Sequence, residues 1–583
     1  MHRSGLLFSL CFACPSPDPP PKEATPTPTT TPGPTSTPGE VADRVLTGGD
    51  IVTLDANSTR ATTMALRGGE IVWVGDGPAP SALIGPGTQV VDLEGRQVLP
   101  GLHDVHNHLL EAFHPAAGTC IVSGYGGLQS FVPELQACAG NQIGTDWVVG
   151  WGFDLWSAYA TSGSAAAILD QAIPDRPAVI MESSSHAAWV NTLALAALGI
   201  TDATPDPVGG TILRSGSGAA TGLLLDAAGE LAFDAALVNN PEMGPLNEQA
   251  LRAGLAEAAR NGITSLGDGR GYWKRGYVEA WQAVAAAGDL TLRAVVPLWA
   301  YPDESDDAQL EILKAYHAAV PGDRLRFSQV KLYVDGLTWI TTGALLEPYT
   351  GPTLTAPTGL NYFDPTRLTR YVTELELAGF DLHIHAIGDR GVREALDAIA
   401  AARLANGDRG ARHRITHVEW VAPDDVPRFA ELGVAADFQL SGFWTRPEFL
   451  HDSDFLVGPA RIDERAWRVR DLYESGAHVV LSSDYDTAGM SPFLGIAAAI
   501  DRGDQSLPDV EAALRAVTTE AAWVLRQEAL VGSLEVGKRA DYVVIDRDIT
   551  HADAASIAQT AVLWTVVDGE ETWRDPTFAP AGL

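Results

Sequence analysis

Seven short apolar runs recur at 263–267, 292–298, 330–334, 382–387, 415–418, 434–440 and 479–484, separated by amphipathic stretches such as 391–404. An eighth run leads into Leu99-Pro100-Gly101-Leu102-His103-Asp104-Val105-His106-Asn107-His108. Short runs without polar alternation are what strands buried on both faces require, and a helix after each brings successive strands parallel. Eight such units predict an α/β protein built on a (β/α)8 barrel, which gathers functional side chains at the carboxyl ends of its strands.

Alternate side chains of a strand face the same way, so His106 and His108 are aimed at one point, where two imidazoles can hold a metal. Taken alone, a His-x-His pair is equally an ordinary polar strand end. More such groups recur downstream in Gln329-Val330-Lys331-Leu332-Tyr333-Val334-Asp335-Gly336, His383-Ile384-His385-Ala386-Ile387-Gly388-Asp389, Arg412-His413-Arg414-Ile415-Thr416-His417 and Ser482-Ser483-Asp484. Strand one thus ends in His106 and His108, strand four carries Lys331, strand five His385, strand six His417 and strand eight Asp484.

This order, with the wording His-Ala-Ile-Gly-Asp and Lys-x-Tyr-x-Asp-Gly, resembles the metal-dependent amidohydrolase superfamily, in its amidohydrolase family 3 branch. That branch includes a deformylase of N-substituted formamides. The likeness runs from about residue 44 to 573 and takes in Gly532-Ser533-Leu534-Glu535-Val536-Gly537-Lys538-Arg539-Ala540-Asp541. It implies that His106, His108 and Asp484 hold one divalent ion and His385 and His417 a second, with Lys331, carboxylated by CO2, as the bridge. Imidazole and carboxylate donors suit zinc, with one or two ions. The alternative for Lys331 is a strand lysine paired with Asp335.

The resemblance further implies hydrolysis of a non-peptide C–N bond in a small N-acyl or N-formyl substrate. Metal-bound hydroxide would attack, with Asp484 as general base and then acid. His186, in Ser183-Ser184-Ser185-His186-Ala187-Ala188-Trp189-Val190-Asn191, matches a histidine motif of the branch. It either binds the substrate carbonyl or oxyanion or caps a helix starting at Ala187. His383 shares a strand face with His385 but falls outside the motif and is given no ligand role. His103, His114, His317 and His451 read as surface or packing residues. Two departures leave the ligands intact but bear on the pocket: Ser482 where the branch commonly has glycine, and Thr416 where a glutamate is usual. Cyclic amides, esters or lactones would suit the same attack. An envelope binding protein without turnover is a further reading, disfavoured because the ligand set is complete.

With 39 basic and 74 acidic residues the formal charge is −35, and no basic run interrupts it. Nucleic acid is therefore excluded as a partner, because phosphate binding needs a basic footprint. Residues 1–14 combine a short basic start with an apolar run ending Phe12-Ala13-Cys14, which resembles a lipoprotein signal with Cys14 as the lipidated residue. Residues 15–40 are nearly all Pro, Thr, Ser and Gly and predict a disordered tether. Export to a bacterial cell envelope follows, periplasmic or extracellular, with a cytoplasmic protein as the alternative. Cys120 and Cys138 are a disulfide in the first case and two buried thiols in the second. Alternating strands in 41–98 and 533–583 predict a small composite β-sandwich, leaving 99–532 for the barrel, with an insertion over its mouth at about 109–244.

Overall fold

Eight parallel strands form the centre of the computed structural model, which describes residues 41–114, 120–122, 126–141, 146–159, 163–238, 240–319 and 324–583. The signal-like segment and the tether, with Cys11 and Cys14, lie outside the described residues. The strands are β1 (Leu102–Asn107), β2 (Ile263–Asp268), β3 (Arg293–Val295), β4 (Gln329–Tyr333), β5 (Asp381–Ala386), β6 (Arg414–His417), β7 (Ala435–Phe438) and β8 (Val479–Leu481). Every residue in them is buried, which is why the sequence shows continuous apolar runs instead of alternation. Helices such as Pro365–Leu377 cover them. Its Asp364 accepts from the amides of Thr366 and Arg367, proline opens the first turn, and Leu368, Tyr371, Val372 and Leu375 form the buried stripe.

The strands do not form one continuous ladder. β3, β2 and β1 belong to a four-stranded sheet, and β4 through β8 to a six-stranded one. The break falls where the predicted run 292–298 meets Pro297, which has no N–H to donate, so that run divides into β3 and Leu298–Trp299. Backbone hydrogen bonds nevertheless join the two sheets at both margins. Asp484 N donates to His106 O (2.9 Å) and His108 N to Tyr485 O (2.8 Å) on one side, and Trp299 N to Gly271 O (3.1 Å) on the other.

Residues from both ends of the chain share one six-stranded sheet, in the order Glu570–Arg574, Val562–Val567, Tyr542–Ile545, Gln97–Pro100, Asp50–Val52, Arg60–Ala61. It packs Ile51, Val98, Tyr542, Val544 and Trp564 against Leu46, Met64, Leu66 and Val91 of a four-stranded N-terminal sheet. The run leading to His106 is thus two strands, one in each architecture, with Gly101 between them. A Cβ on Gly101 would lie 2.1 Å from Thr264 Oγ1, so only glycine fits this crossing. From β3, Arg293 reaches the terminal sheet and pairs with Asp541 and Asp568.

Between β1 and β2 lies a five-stranded sheet, ordered Gly210–Arg214, Ala220–Asp226, Ala187–Val190, Ala178–Glu182, Val148–Phe153. The segment after His186 is therefore a strand, and the helix begins later, at Thr192, capped by Asn191. Cys120 and Cys138 are joined as a disulfide within this insertion, with Cα atoms 5.2 Å apart. Among the described residues no helix is long and apolar enough to cross a membrane.

Candidate metal centre

The ends of β1, β5, β6 and β8 converge. His106, His417 and Asp484 each offer a ligand atom, all within 4.8 Å of one another. Asp484 Oδ1 lies 3.0 Å from His106 Nε2 and 2.9 Å from His108 Nε2, and Oδ2 lies 3.9 Å from His417 Nδ1. The His385 ring is 4.4 Å from that of His417. His417 and Asp484 have φ of 77° and 52°. Such left-handed turns at non-glycine residues are strained and mark functional sites. At His417 the turn also breaks the strand's alternation, so that Thr416 and His417 both face inward.

The donor set fits a divalent cation. Among the described residues, His106 Nε2 and His385 Nδ1 are buried without hydrogen-bond partners of good geometry, a costly arrangement unless another group completes it. His385 Nε2 lies 3.3 Å from Gly336 O, so it is the donor and Nδ1 keeps its lone pair. Burial holds His106 and His385 well below the ordinary histidine range and pushes His417 down to about 3, so all three are neutral, as metal ligands must be.

Lys331 is fully buried, with Nζ 3.3 Å from His106 Nδ1 and 3.1 Å from His383 Nε2. Burial lowers its pKa well below that of an ordinary lysine; Asp484 opposes this and Arg414 adds to it. It does not pair with Asp335, which instead accepts from the backbone amides of Ile387, Gly388 and Ala344.

His383 is closer to the centre than its lack of a motif implied. Its Nε2 is 2.7 Å from His106 Nδ1, while its Nδ1 accepts from Arg414 at 2.7 Å. The two-residue spacing from His385 carried that signal, since both must face inward on β5. Arg414, wholly buried, also donates to Val105 O and Gln329. Thr416 Oγ1 donates to Asp437 at 2.9 Å and lies 3.2 Å from His106 Nδ1. His186 comes from the insertion, and its ring is 5.3 Å from His385 and 5.7 Å from Tyr333. His103 and His114 are buried packing residues, and His451 is exposed beside Asp454.

Comparison with known proteins gives the family. The amidohydrolase family profile matches residues 89–572. The chain is 30% identical over 554 residues to Protein LONG AFTER FAR-RED 3 of Arabidopsis thaliana, covering 92% of each. It is 26% identical over 548 residues to N-substituted formamide deformylase of Arthrobacter pascens, covering 91% of this chain and 98% of that one. A crystal structure of a metal-dependent hydrolase from Pyrococcus horikoshii OT3 shares the fold, with a TM-score of 0.68, 22% identity and coverage of 88% and 99%. The chain therefore belongs to the amidohydrolase family, as a metal-dependent enzyme acting on carbon–nitrogen bonds other than peptide bonds.

Proposed function

We propose that this enzyme hydrolyses the amide bond of a small N-acyl or N-formyl compound. The observation that carries the reading is the convergence of His106, His417 and Asp484, with His108 and His385 beside them. When bound there, a divalent ion, zinc by the preference of this donor set, acidifies water and polarises a carbonyl. Asp484 takes the proton of the attacking water and returns it to the leaving amine. Oδ2 is the atom for this, because Oδ1 faces His106 and His108. His186 binds the substrate carbonyl from the insertion side. Burial, which lowers the Lys331 pKa, favours the uncharged amine that carboxylation requires and supports Lys331 as the residue that would bridge two ions.

The eight parallel strands are read as one barrel within residues 99–532, and residues 41–98 with 533–583 as one composite sandwich. Export and anchoring at Cys14 belong to the same proposal; the disulfide between Cys120 and Cys138 supports an oxidising compartment. Elemental analysis followed by turnover of para-nitroformanilide, para-nitroacetanilide, a lactam and a lactone tests the reading. Metal with release of nitroaniline supports it. Metal with turnover of the cyclic substrates alone, or with none, overturns it.

A further inference from the structure

The insertion contributes a second residue alongside His186. Asp226 ends the strand Ala220–Asp226 with a fully buried carboxylate whose Oδ1 lies 2.7 Å from His186 Nδ1. The same oxygen accepts from Tyr362 Oη at 3.1 Å, and Asp226 N donates to His186 O at 2.8 Å. Oδ2 is buried with no hydrogen-bond partner among the described residues. The pair is also held by strained backbone, with φ of 66° at Ser185 and 51° at Asp226, and such turns cost about 1–3 kcal/mol each. The parallel sheets leave room for it. A Cβ on Gly336, just beyond β4, would lie 2.8 Å from Asp226 Oδ1.

The pair stands at the site itself, with the His186 ring 5.3 Å from that of His385, and a buried carboxylate is expensive to desolvate unless it is paired. We propose that Asp226 is a positioning residue. It fixes His186 with Nδ1 as the donor and the ring flat beside Tyr333, leaving Nε2 for the substrate carbonyl. Asp226 reaches the reaction only through His186, so the proposal rests on the reading of His186 given above. Tyr362 supports the same carboxylate oxygen from the connection between β4 and β5.

The test is a double-mutant cycle of Asp226→Asn and His186→Gln, with kcat and KM on para-nitroformanilide, metal content and melting temperature for each variant. Asp226→Asn is expected to lower kcat by about 10- to 100-fold, the usual cost of losing the partner of a functional histidine, with KM within about three-fold. Metal content stays at the wild-type level, and in the His186→Gln background the same substitution costs less than about two-fold. Wild-type kcat in Asp226→Asn, or an undiminished loss in the His186→Gln background, overturns the positioning role. Wild-type kcat in His186→Gln alone overturns the placement of His186 instead. If Asp226→Asn fails to fold, Tyr362→Phe decides. It should lower kcat by about two- to five-fold, for one lost hydrogen bond, only while His186 is present; a loss that persists without His186 overturns the proposal.

Discussion

Opening the Cys120–Cys138 disulfide should loosen the insertion while leaving the parallel sheets intact. The bridged cysteines are 18 positions apart in the sequence. The bridge ties the helix Val132–Ala139 to a segment where Cys120 O accepts from Trp151 N at 2.9 Å. Cys120, Leu128, Phe131, Val132 and Leu135 share a core with Phe153 and Trp189 that is separate from that of the parallel strands. Closing a loop of this length removes unfolded-chain entropy worth about 3 kcal/mol at 25 °C. Opening it should therefore raise the local unfolding equilibrium of the insertion by about two orders of magnitude. Hydrogen exchange read by mass spectrometry measures this directly, comparing the oxidised protein with a Cys120→Ser/Cys138→Ser variant so that no reductant touches the metal centre. Peptides covering 126–141 and 148–153 should exchange about a hundred-fold faster, and those of β5 and β6 at an unchanged rate. Equal exchange of 126–141 in both proteins would refute the reasoning. So would acceleration spread evenly into β5 and β6, because the insertion would then not be a separate cooperative unit.

Asp484→Asn should keep its metal by elemental analysis and lose kcat by about 10²- to 10⁴-fold, the range for a general acid–base group; near-normal turnover removes Asp484 from that role. Lys331→Met should bind one ion fewer per chain than the wild type, and an unchanged stoichiometry would dismiss the bridging role. Arg293→Met strands the fully buried Asp541 carboxylate, which should cost about 3–5 kcal/mol of stability in denaturant unfolding. A loss under about 1 kcal/mol would show that the ion pair does little to hold the sheets together. Asp568 adds a pH dependence. Burial pushes its carboxyl up, but Arg293 and Arg324 outweigh this and hold it below the ordinary 3.8. The unfolded chain therefore takes up the proton first, so the stabilisation is complete above that value and fades as pH falls through the folded pKa. Asp568→Asn should narrow its deficit to the wild type as melting temperatures are followed from about pH 5 to about pH 2; a constant gap would contradict the sign.

Much of the architecture was legible because burial on both faces leaves an unmistakable mark. β5, Asp-Leu-His-Ile-His-Ala, could be placed almost to the residue. Pro297 was equally visible, but a run-based reading passes over a single proline whose cost falls on ladder continuity. Ala187–Val190 was open to a helical reading because alanine favours helices; Trp189, wholly buried in a sheet core, overrides that local preference. Arg414 could not be foreseen, since arginine is mostly exposed and only the fold shows it enclosed beneath His106 and His383. His417 escapes period-two reasoning because its positive φ turns the chain there. Asp226 meets His186 across 40 positions, a separation at which no periodicity links two residues.

The shared outer sheet has a consequence for the order in which the protein can be made. Leu99 pairs with Val543, so a nascent chain holding the first of these must wait until the second has been added before that ladder can form. The peptide beyond Gly101 begins the strand that ends in His106. Its outer anchor is thus made long after the strand itself, and the strand that carries His106 gains that partner only once the later segment has emerged.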